Sequence, residues 1–536
     1  YDFQKWQKAY QFFVKADTNG NFPIPNVIAG ANYTLWAFGP GAEGTFMSQN
    51  QTGGNPPLLF NVPTPQFSVT VTGGATNNLG TVTWTPTRVG ATVFELGSPD
   101  RLSREFRHGE DYWSYGMPPK PGYPTPFWGM PMEFPSDFPN GMNYTVGQSR
   151  WTTDWNYDMP SLPNQAGNYQ NCVGTLNFNL ATAPTNGATA SIYLDCAADN
   201  WGNVIVSVNG SNLGSASGVT ATPNSMDATG FDPPYNDTTD YHMSDHSSAC
   251  DERITFPASL LHAGQNTITI NMNAVGGTKF LMLDYLRLEL TGYVPPAPAS
   301  VAAYAGNNCN LVSWPVTPGA TSYNVLRSTT SGSGYVPVTN GVVGPVCGCG
   351  TNNAVYVDKT AANNTTYYYE VQSVNPTGTS ASSVASTGAT PSSGLSASAP
   401  AAPTGMTVTG SGHHSVALSW NASAGANFYS VYRTTLYTNF YDSNYPLKTI
   451  ILNNTNTTTS YTDTSPTDGN TYSYYVTATS AGGTSGSSVA SAAVIPVPVP
   501  PASAPGLAQG HFVNGTNVVL SWAPVSGAVG YDIYRS

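Results

Sequence analysis

Charge is scarce in this chain. Only 9% of its 536 residues are Asp, Glu, Lys or Arg, against roughly 25% in an average soluble chain, so the salt-bridged surfaces of helix bundles and coiled coils are excluded. Basic residues are scarcer still. With 17 Lys+Arg and a formal net charge of -12, the chain is poorly suited to a nucleic acid or an anionic membrane, whose phosphates are held by many cationic side chains. No apolar run reaches the roughly 18 residues a spanning helix needs, which argues against membrane insertion. Cysteine is sparse as well, with six in all. A fold built mainly on disulfides is therefore not expected.

What is plentiful points the other way. Gly (54) and Pro (43) punctuate the chain, while Tyr (32), Phe (20) and Trp (11) supply bulky apolar surface. A disordered chain lacks such surface and cannot offset its ordering entropy. The expectation is an all-β chain of tandem β-sandwiches, with about 100–200 residues per domain. The few charges are unevenly spread: residues 1–296 carry 23 Asp+Glu and 12 Lys+Arg, residues 297–536 only 6 and 5. Two kinds of module are joined.

The back half repeats. Trp314, Trp420 and Trp522 each end an alternating strand pattern, a Tyr follows nine residues later (Tyr323, Tyr429, Tyr531), and an Arg follows thirteen residues later (Arg327, Arg433, Arg535). The period is about a hundred residues, that of a sandwich domain. In such a fold the Trp fills the core and the Tyr packs across from it. The pattern resembles fibronectin type III domains, at 297–391, 401–495 and, in part, 502–536. The third copy stops soon after its Trp522 and Tyr531, too short to bury them alone. We therefore expect the chain to continue or a neighbour to complete it, which allows self-association through incomplete terminal sandwiches. Pro-rich linkers at 293–300, 391–403 and 495–505 favour extended polyproline II geometry and suggest a stalk.

The front half divides at about residue 75. Residues 1–75 read as strand, tight turn, strand, Gly turn and strand. Asp17, Asn19 and Asn21 around Gly20 faintly suggest a calcium loop, but the twelfth position is Ile28 instead of a bidentate Glu, so a β-turn is the better reading. Residues 76–292 contain short alternating strands and suggest a jelly roll.

The ordered segments GNFPIPNVIAGANYTLWAFGPGAEGTF, LGTVTW, FELGSPDRLSREFRHGEDYW, NYTVGQSRWTTDWNY, PASLLHAGQNTITI and LDYLRLEL resemble the second and third domains of rhamnogalacturonan lyases of polysaccharide lyase family four. The resemblance covers roughly residues 1–292. It implies a small immunoglobulin-like sandwich over 1–75 followed by a carbohydrate-binding-like jelly roll, with a pectin-type polysaccharide as ligand. No stretch resembles the family's N-terminal sandwich, to which its lysine and histidine catalysts belong. No catalytic residue is carried over, and the opening strand of the second domain is expected to be missing from the pattern.

Within the front half, Arg101, Arg104, Arg107 and His108 form the one basic cluster. They would pair galacturonate carboxylates through bidentate contacts, or be neutralised internally by Asp100, Glu105, Glu110 and Asp111. Sugar faces stack on exposed aromatic rings. Trp113, Trp128, Trp151 and Trp155 stand in irregular stretches where exposure is expected of some, Trp128 and Trp155 foremost. Others must fill the core. The segment YNDTTDYHMSDHSSACDER places His242 and His246 among Asp240, Asp245, Cys250 and Asp251. A loop fixes no metal geometry from that spacing; its carboxylates suit calcium better than zinc, and no metal or other cofactor is assigned.

The cysteines split into Cys172, Cys196 and Cys250 in the jelly roll and Cys309, Cys347 and Cys349 in the first repeat. One bridge per domain with one spare thiol is the simplest arithmetic, Cys309 pairing with Cys347 or Cys349. Neutral Thr/Ser/Asn-rich modules with Asn-x-Ser/Thr triplets, as at Asn143 and Asn364, suit a secreted or cell-surface protein. Tyr1 opens the chain with neither an initiator Met nor a signal-peptide pattern, from which we expect an excised piece. Two functional readings stand: a carbohydrate-binding and spacer portion of a rhamnogalacturonan-lyase-like protein, or an extracellular structural or adhesive scaffold.

Overall fold

The computed structural model describes residues 89–97, 105–107, 137–159, 172–198, 204–214, 220–221, 248–272, 281–344, 353–436 and 448–496, with isolated positions between 17 and 78, at 109 and 134, and between 506 and 523. Described structure is almost entirely strand. No helix among these residues is long and apolar enough to cross a membrane.

In the small first domain β1 (Asn32–Tyr33) pairs antiparallel with β2 (Val69–Thr70). At Asp17 the chain makes the expected turn: the Gly20 N–H donates to the Asp17 carbonyl at 2.9 Å, and Gly20 takes φ +81°, a conformation open to glycine.

The jelly roll follows. Its strands are β3 (Ala91–Gly97), β4 (Met142–Thr145), β5 (Cys172–Leu180), β6 (Thr189–Ala198), β7 (Val204–Val208), β8 (Ser211–Asn212), β9 (Thr220–Ala221), β10 (Ser248–Pro257), β11 (Gly264–Met272) and β12 (Leu281–Leu290). They form two five-stranded sheets, β3-β12-β6-β10-β9 and β4-β5-β11-β7-β8. Alternation sets the faces. In β5, Cys172, Leu176, Phe178 and Leu180 are buried while Val173, Thr175 and Asn177 are less so, the period of two that a strand imposes. β4 and β5 run parallel, which no tight hairpin can join. The intervening crossover holds the short helix α1 (Trp151–Asp154). Gly174 is where it closes on the sheet: a Cβ there would lie 2.5 Å from the Trp155 ring.

Two fibronectin-type sandwiches come next, each a three-stranded sheet on a four-stranded one. The first has β13 (Ala302–Ala305), β14 (Asn310–Pro315), β15 (Ser322–Ser328), β16 (Val336–Val342), β17 (Asn353–Asp358), β18 (Tyr368–Asn375) and β19 (Gly378–Thr379). The second has β20 (Thr404–Gly412), β21 (Ser415–Asn421), β22 (Phe428–Thr435), β23 (Lys448–Asn456), β24 (Ser460–Asp463), β25 (Tyr472–Ser480) and β26 (Gly483–Thr484). The repeated pairs meet as expected. Trp314 and Tyr323 lie 5.4 Å apart at 65°, Trp420 and Tyr429 5.6 Å apart at 66°, edge-to-face geometries across the sandwich. In the third copy β27 (Gln509–Val513) pairs with β28 (Asn517–Ser521). Trp522 is half-buried, and Tyr531 lies outside the described residues.

The proline linkers do not hold these domains apart as a stalk. Cys309, Leu311, Phe428 and Ala481 form one apolar cluster between the two repeats, and Asn454 bonds the Asn353 backbone in both directions at 2.8 and 2.9 Å. Gly319, at φ +75°, sits so close to the jelly roll that a Cβ would approach the Thr92 carbonyl oxygen to 2.4 Å. The second repeat also reaches the jelly roll, where Arg150 donates to the Tyr461 hydroxyl at 2.7 Å. Burial of apolar and polar contact surface offsets the extension that the linkers favour.

One cysteine expectation is corrected, the pairing of Cys309 with Cys347 or Cys349. Cys172 is a free thiol facing the jelly-roll core, on the sheet opposite Cys196 and Cys250. Cys309 is free too, its sulfur donating to the Ala481 carbonyl at 3.2 Å. Cys196 and Cys250 stand directly opposite each other in the β6–β10 register. Cys347 and Cys349 lie outside the described residues.

Candidate functional site

The jelly roll carries its chemistry on the outer face of the sheet β3-β12-β6-β10-β9. In β12, Leu286, Leu288 and Leu290 enter the core, so Tyr285, Arg287 and Glu289 take the other face. Register aligns Arg287 with Tyr193 on β6 and with Glu95 on β3. The result is a compact cluster. Arg287 lies 5.2 Å from the Tyr193 ring and 5.7 Å from the Tyr285 ring, with its Nε 2.9 Å from the Glu289 carboxylate. Arg253, from β10, reaches the other Glu289 oxygen at 3.1 Å. The Tyr285 hydroxyl donates to Glu95 at 2.8 Å and accepts from Arg287 at 3.2 Å.

These groups are buried, Arg287 and Glu289 completely. Burial alone would raise the Glu289 carboxyl, but the Arg287 and Arg253 guanidiniums and the Val89 N–H outweigh it and hold the carboxyl below its ordinary value. Burial pushes the Tyr285 hydroxyl well up, despite Arg287. Glu289 thus stays ionised and Tyr285 stays protonated at neutral pH. Its hydrogen bonds are made within the protein, so the cluster braces the sheet. It offers neither a poised base nor a poised acid.

The predicted residues fare unevenly. Trp113, Trp128, Arg104 and His108 lie outside the described residues, as do His242 and His246. Trp151 and Trp155 belong to the core at 5% and 0% exposure. This corrects the expectation of exposure, because the crossover that joins β4 to β5 must cover the sheet with something large. Trp151 packs near Phe106 and Trp155 meets Tyr144 edge-on. Arg107 is indeed their neighbour, its N–H donating to the Trp155 carbonyl at 2.9 Å. Its side chain turns outward to Asp137 at 2.8 Å, a carboxylate that sequence reasoning did not pair with it. Beside Asp137 stands His414 of the second repeat, at 3.9 Å. This part of the jelly-roll surface is covered by a neighbouring domain.

Sequence reasoning missed Tyr193, Arg253, Tyr285, Arg287 and Glu289. The signal for three of them was present in LDYLRLEL, where polar and apolar residues alternate. It also missed Tyr432 and Tyr475, half-buried on adjacent strands of the second repeat, whose rings stack at 4.6 Å and 9°. The corresponding first-repeat positions are Leu326 and Glu370.

Comparison with known proteins fits this architecture. The family model described as polysaccharide lyase family 4, domain III, CBM-like, matches residues 92–288. That for domain II of the same family matches residues 1–79. The probable rhamnogalacturonate lyase B of Aspergillus terreus is 29% identical over 309 residues, covering 53% of this chain and 43% of that protein. The probable rhamnogalacturonate lyase C of Emericella nidulans is 31% identical over 195 residues, or 34% of this chain and 16% of that protein. The chain thus spans less than half the length of either relative. Among solved structures, an Fn3-like protein from Clostridium thermocellum is 28% identical, covering 18% of this chain and 95% of its own, with a TM-score of 0.16.

Proposed function

We propose, from a front half that consists of domains II and III of polysaccharide lyase family 4, that this chain is the carbohydrate-binding and spacing portion of a secreted protein acting on pectic rhamnogalacturonan. The observation that carries the reading is the jelly roll, matched at residues 92–288 as a CBM-like domain III. The cluster of Tyr193, Arg253, Tyr285, Arg287 and Glu289 is buried and paired within itself, so a sugar ligand would be met by residues outside it. Trp113, Trp128, Arg104 and His108 remain proposed as sugar contacts. Trp151, Trp155 and Arg107 are assigned instead to core and domain packing.

Bond cleavage by β-elimination needs a base near the uronate α-proton and a cation on its carboxylate. Among the described residues, Glu289 is ionised but held by two arginines and Tyr285 stays protonated, so this cluster supplies no such base. Affinity electrophoresis of the full chain in rhamnogalacturonan should show retardation, while the same mixture accumulates no unsaturated product. Product formation by the purified chain would refute the non-catalytic assignment. Absence of retardation would refute the binding one.

The scaffold reading keeps one point in its favour: jelly roll and both complete repeats share packed interfaces, as a load-bearing rod would require. Analytical ultracentrifugation separates the two. A monomer favours the spacer, and ordered polymers favour the scaffold.

A further inference from the structure

The two repeats make the same loop with different chemistry. In the first, the turn between β13 and β14 carries Asn307 and Asn308, and both bond Asn363: the Asn308 N–H donates to Asn363 Oδ1 at 2.8 Å and Asn363 Nδ2 donates to Asn307 Oδ1 at 3.0 Å. In the second, the equivalent residues are His413, His414 and Asp468. The His414 N–H donates to Asp468 Oδ1 at 2.9 Å, and His413 Nδ1 lies 2.6 Å from Asp468 Oδ2. Three amides have become two imidazoles and a carboxylate. Backbone conformation is unchanged, Asn308 at φ +53° and His414 at φ +47°. That left-handed region suits Asn better than His, so the imidazole is held there at a cost in strain.

Hydrogen bonding fixes the tautomers. His413 Nδ1 faces a carboxylate and His414 Nδ1 faces the Pro466 carbonyl at 3.1 Å. Both partners only accept, so each Nδ1 carries the proton and each neutral ring keeps its lone pair on Nε2. This is the outer-shell arrangement by which metal-ligating histidines are oriented. Across the domain boundary stands Asp137, oriented by Arg107 at 2.8 Å. One ligand atom from each of Asp137, His413 and His414 lies within 4.8 Å of the other two.

We propose that Asp137, His413 and His414 form a binding site for a divalent transition metal of the zinc type, clipping the jelly roll to the second repeat. Two imidazole nitrogens and one carboxylate oxygen are a borderline ligand set suited to Zn²⁺, with a fourth position left to water. A tetrahedral ion would bring the ligand atoms to about 3.3 Å apart, a closure within reach of side-chain rotation. His413, 36% exposed at its side chain, gives the ion a way in, while Asp137 and His414 are each 8% exposed.

The test is titration of the chelator-stripped full chain with Zn²⁺ by calorimetry and with Co²⁺ by visible spectroscopy. One equivalent should bind, the cobalt form showing the intense d–d bands of a four-coordinate ion. Asp137→Asn and His414→Asn should each abolish this binding. The second substitution restores the first repeat's residue at a left-handed position, so folding is kept. Asp468→Asn, which removes only the outer-shell acceptor, should weaken affinity about 10- to 100-fold. The proposal fails if the wild-type chain binds neither ion. It fails equally if Asp137→Asn and His414→Asn bind as the wild type does, which would place the ion elsewhere, for instance at His242 and His246.

Discussion

In the first repeat Arg327 reaches Asp358 at 2.8 Å and lies 4.6 Å from the Tyr367 ring; in the second Arg433 reaches Asp463 at 2.9 Å and lies 4.8 Å from the Tyr472 ring. Tyr369 and Tyr474 complete the copies by donating their hydroxyls to the same carboxylates. A serine ladder is duplicated as well. Ser380, Ser383 and Ser386 accept from the N–H groups of Ser373, Val371 and Tyr369, and Ser485, Ser488 and Ser491 from those of Ala478, Val476 and Tyr474. Some of what is not duplicated lies at contacts between domains. His413 and His414 face the jelly roll where the first repeat has asparagines, and Phe428 enters the inter-repeat cluster where the first repeat has Ser322. Repetition within one chain therefore separates residues that hold the fold from residues that join domains.

The shared ion pair differs in depth, and this is the sharpest way to test the comparison. Arg433 is 5% exposed and Arg327 22%, while their carboxylates are buried alike, Asp463 at 1% and Asp358 at 0%. Arg433→Ala leaves a carboxylate buried without its cation and should cost about 3–5 kcal/mol. Arg327→Ala should cost less, since water can enter the space left by the partly exposed Arg327 side chain and solvate Asp358. Chemical denaturation followed by tryptophan fluorescence would measure both, and equal losses would show that the two pairs are energetically interchangeable after all. Next in size is Phe428→Ser, which writes the first repeat's residue into the second. Truncating a buried Phe costs about 3 kcal/mol or more. Here the loss should also uncouple the repeats, so that one calorimetric transition becomes two. A single unshifted transition would deny the cluster its joining role.

Much of this skeleton was legible in the sequence. Trp, Tyr and Arg recur at fixed offsets, and a sandwich core demands its fillers at fixed strand positions. The acidic partners were not read, because Asp358 and Asp463 are spaced from the arginines by strands of unequal surroundings and meet them only across the sandwich. The jelly-roll face shows the same division. Alternation in β12 was visible, but which side would be the core depended on β6 and β10 pairing beside it. Trp155 was misplaced because irregular sequence suggests exposure, whereas this crossover packs its indole directly on Gly174. Domain packing was the least legible of all. Phe428 is one aromatic among many in the sequence, and only the arrangement of both repeats gives it a partner surface.

Acid should weaken the first repeat by a route that the comparison makes specific. Burial alone would raise the Asp358 carboxyl, but the hydroxyl and N–H of Thr360, the Tyr369 hydroxyl and Arg327 hold it below its ordinary value. A carboxyl lowered on folding contributes stability that is fully present above its unfolded value, about 3.9, and that is lost as pH falls through the folded value. Thr360→Val removes the largest of these favourable contacts and keeps the shape. Its denaturation midpoint should fall below the wild type's at neutral pH and converge with it in strong acid. A constant difference at all pH values would mean that the hydroxyl acts by packing and not through the carboxylate.

The smallest expected effect concerns Cys309, whose counterpart in the second repeat is Ser415. Burial raises its thiol above the ordinary value, and the sulfur donates to the Ala481 carbonyl of the neighbouring repeat. Since the thiolate is the reactive form, a docked Cys309 should resist an aromatic disulfide reagent under native conditions. Phe428→Ser removes the side chain that seals the same cluster, so labelling at Cys309, identified by peptide mapping, should become fast there without global unfolding. Cys172 supplies the internal control: it lies in the jelly-roll core, far from any surface that separating the repeats would expose, and it should stay protected in both proteins. If Cys309 reacts as readily in the wild type as in the variant, the repeats open on the timescale of labelling, and their interface is a resting contact of two independent domains instead of a joint.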